Sequence, residues 1–501
     1  MHRQPSLAGR AILAIALMIG FYLLAVGVAA ALLAVPYFEM VALNRVDLKI
    51  AFFCLVGAGV ILWSILPRFD AFPSPGPTLT PGKHPALFRA IESVARATGQ
   101  SMPAEVFLVA DMNAWVAQRG GVMGLGSRRV MGLGLPLLQA VTVAEFRAIL
   151  AHEFGHFHGG DTRLGPWIYK TRAALGRTLA GMARHSQALR RPFEWYGSMF
   201  LRVTHGISRR QELTADALAC RVESPGALVG GLRRISGMSV AWNAYWATEV
   251  SPVLASGFLP PIADGLRRYS QVTSISEKIE QMIEADLREG KSDPFDTHPP
   301  LRERIEAAEA VVAVAPPEGR SRSDASPEAG GAAVSLLAAV PALERELLMF
   351  IADAAAVAGL KPVSWEDVGS TVIANAWDHA VNENRAAFSG LTVGALFATA
   401  SQPGKFEATL PRRPETVLDE AGRKRRGAWH LGAGLGHALL RAGWAVTSLP
   451  GEPIRLARGS DIVEPFEAVQ SMADQTLTEA AWQGRCSDLG IAGLGLEPPG
   501  R

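Results

Sequence analysis

The chain has 501 residues, 49% of them hydrophobic and 19% charged, and its 49 Lys and Arg nearly balance 47 Asp and Glu. That length corresponds to about three domains of ~150 residues. The apolar content excludes a disordered chain, and a net charge of only +2 argues against nucleic-acid binding through a bulk positive field. Cys54, Cys220 and Cys486 lie far apart, which excludes a disulfide scaffold and a multi-cysteine metal site.

Residues 11–35 carry no charged side chain. At 1.5 Å per residue they reach ~37 Å, enough to cross a ~30 Å hydrocarbon core. Residues 50–66 are also uncharged, and Trp63 suits an interfacial end. A cleaved signal peptide is the alternative for the first stretch. The length of that run and the second stretch behind it favour a membrane hairpin over residues 1–67. Lys and Arg are evenly shared between the flanks, so charge does not orient the hairpin; two spans do place the N-terminal tail and everything after Pro67 on one side. Residues 68–83 form a proline-rich spacer, and the composition of residues 314–333 marks a linker. The remaining domains are residues 84–313 and 334–501.

The predicted fold is mainly α with a small β-sheet, followed by an α+β C-terminal domain. Leu87, Ile91 and Val94 have helical spacing, and Val106 to Val109 reads as a strand. Val130 to Leu138 reads as a second strand, either core or able to hold an extended peptide at its edge. Thr142 and Glu145 form a capping box that starts a helix.

That helix continues His152-Glu153-Phe154-Gly155-His156. Histidines four apart share a helix face, and imidazole suits zinc. Glu153 is placed to take a proton from the activated water. Glu212 and Asp216 lie one turn apart further on. They are either the third ligand and the acceptor of a histidine N–H, or a solvated acidic pair.

The order HEFGH, then Glu212-Leu-Thr-Ala-Asp216, then Thr297-His-Pro-Pro-Leu-Arg-Glu-Arg-Ile305 resembles the membrane zinc peptidases typified by HtpX and the CAAX prenyl endopeptidases. The resemblance covers about residues 84–310. It implies one zinc held by His152, His156 and Glu212, with Glu153 as base and Asp216 behind a histidine. It further implies His298 and Arg304 lining the active site, and Asn113 and Ala114 in a substrate-binding segment. Either His298 or Arg304 would then stabilise the oxyanion. A turn role for His298, and a structural pairing of Arg304 with Glu303 or Glu306, are the alternatives.

The resemblance implies a membrane-anchored zinc endopeptidase acting on proteins, in membrane or misfolded-protein quality control, in a bacterial inner membrane with the catalytic domain cytoplasmic. A catalytically silent, chaperone-like scaffold on the same fold is the alternative. Members usually carry two further spans between zinc helix and third ligand. Here residues 163–210 hold ten Lys and Arg against the single acid Glu194, which argues against spanning and for approach from water. A basic amphipathic stretch lying on anionic headgroups and a solvated helix face are its two readings. The Gly432-Ala-Gly-Leu-Gly436 run reads as close helix packing, and His379, His430 and His437 fit no ordinary metal spacing. Oligomeric state and the role of the C-terminal domain are not legible.

Overall fold

The structure is a computed structural model that describes residues 7–66, 72–121, 126–157, 165–182, 187–290, 299–311, 330–411 and 418–498. It is mainly helical with small sheets. By contacts the chain forms two compact units, Met1–Ser239 with Glu280–Ile351, and Val240–Ile279 with Ala352–Arg501.

The first unit opens with helices α1 (Leu7–Leu43) and α2 (Leu48–Ile65), capped by the Asp47 carboxylate. Among the described residues these are the two helices long and apolar enough to cross a membrane. Strand β1 (Thr78–Leu79), helix α3 (Pro85–Ala97) and strands β2 (Glu105–Val109), β3 (Ala114–Arg119) and β4 (Arg128–Gly134) follow. The sheet order is β1-β2-β4-β3, with β2 parallel to β4 and β3 antiparallel to it. Strand β4 is thus flanked on both sides, and Leu135–Ala140 form a short helix, α4. The edge-pairing expected of residues 130–138 is therefore corrected: the exposed edge on this side of the sheet belongs to β3. Gly132 lies under the Trp115 indole with no room for a Cβ, which lets the hairpin close.

Helix α5 (Val143–Gly155) begins at the expected capping box. Glu145 N–H donates to Thr142 Oγ1 at 3.2 Å, and Thr142 N–H donates to Glu145 Oε2 at 2.8 Å. Two long helices come next, α6 (Gly165–Met182) and α7 (Gln187–Val222). Helix α6 packs on α1 and α2, and α7 packs on α1 and α6, around Phe21, Ala25, Ala58, Ile61, Leu175, Phe193, Tyr196 and Phe200. Close van der Waals packing of these apolar side chains holds the helices together. The helix Leu301–Glu309 packs on α7. Ala333 returns to α5's entry, its N–H donating to Val141 O at 2.8 Å.

The second unit is built around the helix Glu420–Arg441, whose Gly432, Gly434 and Gly436 lie against Phe466, Phe388 and Trp377. The glycine run is close packing. A three-stranded meander, Ala445–Thr447, Arg455–Arg458 and Asp461–Val463, completes the unit's core beside Trp482.

Candidate metal centre and active site

Helices α5 and α7 meet at Gly155 and Ala215. A Cβ on Gly155 would stand 2.9 Å from both Cα and Cβ of Ala215, so only glycine permits this approach. The approach sets the histidines of one helix against the carboxylates of the other.

His152 Nε2 lies 3.4 Å from Glu212 Oε2, and His156 Nε2 lies 3.5 Å from Glu212 Oε1. The two imidazole rings are 4.8 Å apart and nearly perpendicular. Ligands ~2.0–2.1 Å from a tetrahedral ion stand ~3.3–3.4 Å from one another, so the spacing and the N, N, O donor set both fit zinc. His152, Glu153 and His156 also present their ligand-type atoms within 4.8 Å of one another. Glu153 thus stands beside the converging atoms. His152, Glu212 and Asp216 are buried, whereas Glu153 and His156 are partly exposed, so the centre opens to solvent on their side.

Behind the centre, His152 Nδ1 lies 2.8 Å from Asp216 Oδ1. An ionised carboxylate only accepts, so Nδ1 carries the proton and Nε2 keeps its lone pair for a metal. The Arg304 guanidinium forks onto the same carboxylate, Nε to Oδ2 at 2.9 Å and Nη2 to Oδ1 at 2.7 Å. Nη2 also lies against the His152 ring and 3.9 Å from Glu212 Oε2. Burial would raise the Asp216 pKa, but hydrogen bonds from Arg304 and His152 outweigh it and hold the carboxyl below its usual range. Burial likewise disfavours a His152 cation. The Asp216 and Glu212 carboxylates overcome this and lift the metal-free ring to about 9.

Arg304 therefore occupies the back of the site, pairing with neither Glu303 nor Glu306. Glu303 takes Arg209 instead, by a two-pronged contact with Nε at 2.8 Å. The two arginine–carboxylate pairs run in opposite directions between α7 and the Leu301–Glu309 helix. His298 lies outside the described residues. Asn113 is exposed at the head of β3, and its carbonyl accepts from Gly134 N–H at 2.8 Å. Ala114 is buried opposite Leu133, and β3 packs on α5. Residue reading missed Gly155, Ala215 and the Arg209–Glu303 pair. The glycine inside the HEFGH motif and the alanine inside the ExxAD motif were the available signals.

Residues 81–312 match the family model described as Peptidase family M48. The match supports an M48 metallopeptidase in this part of the chain, and with it a metallopeptidase function in general. No curated protein and no solved structure matches the chain.

Proposed function

We propose that residues 84–313 form a zinc-dependent endopeptidase of the HtpX and CAAX prenyl endopeptidase type, anchored by α1 and α2 in a bilayer. The observation that carries this reading is the Glu212 carboxylate facing Nε2 of both His152 and His156. His152, His156 and Glu212 would hold one zinc, whose Lewis acidity activates a water and polarises the scissile carbonyl. Glu153, on the open side, accepts a proton from that water and delivers it to the leaving amine. Asp216 fixes the His152 tautomer, and Arg304 fixes Asp216. This favours a positioning role for Arg304 over the oxyanion role, because its Nε and Nη2 are committed to a carboxylate.

The edge of β3 beside α5 supports binding of an extended peptide by strand addition, with Asn113 and Ala114 at its head. The substrates are proteins, in membrane or misfolded-chain quality control, and nucleic acid has no part. The two apolar helices support membrane anchoring, and the likeness to the HtpX type is what suggests a bacterial inner membrane with the catalytic domain cytoplasmic. The C-terminal residues serve as an accessory module. The test is zinc content and casein hydrolysis by the purified full-length protein. One zinc per chain with chelator-sensitive cleavage is expected, and stoichiometric zinc without cleavage would favour the silent scaffold.

A further inference from the structure

The two histidines of the HEFGH motif are not held alike. His152 lies within α5, with Asp216 and Arg304 behind it. Helix α5 ends at Gly155, so His156 is its C-cap and lies past the last helical residue. A helix end frays because its last carbonyls lack partners within the helix, and glycine in the last turn weakens it further. Four-residue spacing keeps two imidazoles on one face only while that turn stays wound. The hold on His156 therefore has to come from outside α5.

Phe157, the next residue, is fastened at three points. Its N–H donates to Phe154 O at 2.9 Å, which keeps the turn wound. Its carbonyl accepts from Gln100 Nε2 at 3.3 Å. Its ring faces the Arg129 guanidinium, whose carbon lies 4.5 Å from the ring centroid. Arg129 and Gln100 are themselves joined, since Arg129 Nη2 donates to Gln100 Oε1 at 3.2 Å. Gln100 thus uses both ends of its amide, and Arg129, Gln100 and Phe157 form a closed circuit. Arg129 Nη1 donates to Ser101 O at 3.0 Å, and Arg129 O accepts from Ala104 N–H at 2.8 Å. The circuit is therefore anchored to β4 and to the loop between α3 and β2, neither of which carries a proposed ligand.

The chemistry of Arg129 argues for more than packing. Its Nε is buried without a hydrogen-bond partner among the described residues. An unmet buried donor is a cost that an apolar side chain of similar length would not carry. What only the guanidinium supplies is attraction to the face of an aromatic ring together with a rigid fork of donors. We propose that Arg129 is a positioning residue for His156: with Gln100 and Phe157 it locks the end of α5, so that His156 Nε2 keeps its place opposite Glu212. The inference rests on the metal-centre reading of His152, His156 and Glu212. On that reading each histidine is steadied by its own arginine, His152 through Asp216 and His156 through the backbone of Phe157.

The test uses the full-length protein, stripped of metal by chelator, then titrated with zinc against a chromophoric chelator and with cobalt by its visible absorption. Arg129→Met keeps the apolar stem and removes the guanidinium. Its zinc Kd is expected to rise about 10-fold, the low end of what removing a ligand's support does. Phe157→Leu should do the same. The double variant should lose no more than about twofold beyond either single change, because both break one circuit. Arg129→Lys, which keeps a cation over the ring, should stay within about threefold of the wild-type Kd. At saturating cobalt the absorption band of Arg129→Met should be shifted or weakened, since His156 would meet the ion at a different angle. Gln100→Ala, a change at a partly exposed residue, carries the same expectations should Arg129→Met not fold. A lowered melting temperature with wild-type Kd and a wild-type cobalt band would make the circuit merely structural and overturn the inference alone, as would losses that multiply in the double variant. A wild-type protein that takes up neither metal would overturn the metal-centre reading and the inference with it.

Discussion

Asp216 Oδ1 lies 2.8 Å from His152 Nδ1, and Arg304 Nη2 reaches the same oxygen at 2.7 Å. One carboxylate thus links His152 on α5 to an arginine more than 150 residues later in the chain. The order of dependence runs from Arg304 through Asp216 to His152, and it ranks the consequences of removing each group.

Glu153→Gln keeps the shape of the side chain and loses its proton affinity. Peptide hydrolysis is expected to fall at least 100-fold while zinc content, measured by plasma emission, stays at one per chain. Activity within threefold of wild type would remove Glu153 from the base role.

On the proposed ligand set Glu212→Ala deletes a direct ligand, and it should leave zinc below half occupancy at nanomolar free metal. Asp216→Ala should lower affinity less, by ~10–100-fold, because it removes a partner of a ligand. Equal losses in the two variants would contradict the assignment of roles.

Arg304→Lys separates positioning from oxyanion stabilisation. Lysine cannot fork onto Asp216, so zinc affinity is expected to drop ~10-fold, with kcat restored at saturating zinc. A kcat loss that added zinc does not repair would return Arg304 to the oxyanion.

Gly155→Ala touches no ligand. The added methyl meets Ala215 Cα at 2.9 Å, against backbone that must shift. Overpacking of this kind costs about 1–3 kcal/mol. Zinc affinity should fall at least 10-fold with all three ligands intact, and Ala215→Gly in the same chain should recover part of it. Wild-type affinity in Gly155→Ala would show that the helix spacing is not what sets the centre.

The metal-free protein should show a distinctive pH dependence. Its His152 pKa is raised from 6.5 to about 9, so the contribution to stability is complete below pH 6.5 and is lost as pH rises through 9. Asp216, held below its usual range, stays ionised throughout. Melting temperature in chelator is expected to decline from pH 6.5 to 9, while the zinc-loaded protein, whose ring is already neutral at Nε2, declines less. Parallel curves would contradict this.

Much of this was legible along the chain. The period of Leu87, Ile91 and Val94, the Thr142–Glu145 capping box and the four-residue spacing of His152 and His156 are local, and local geometry follows from backbone hydrogen bonding within a few residues. The two long apolar runs and the close-packed glycines of Gly432–Gly436 are of the same kind. Position within a sheet and between helices is not local. Residues 130–138 read equally well as edge or centre, and only the pairing of β2 and β3 on either side of residues 128–134 decided that β3 keeps the edge. Arg304 was legible as a cation near the site. Whether it faced substrate or Asp216 depended on how the Leu301–Glu309 helix docks on α7, which is set by Arg209 and Glu303 and by packing across about 90 residues of chain. The proposed ligand residues are written in the sequence; their 3.4–3.5 Å convergence is decided by Gly155 against Ala215, because the distance between two helices is fixed by the side chains at their crossing and by nothing within either helix alone.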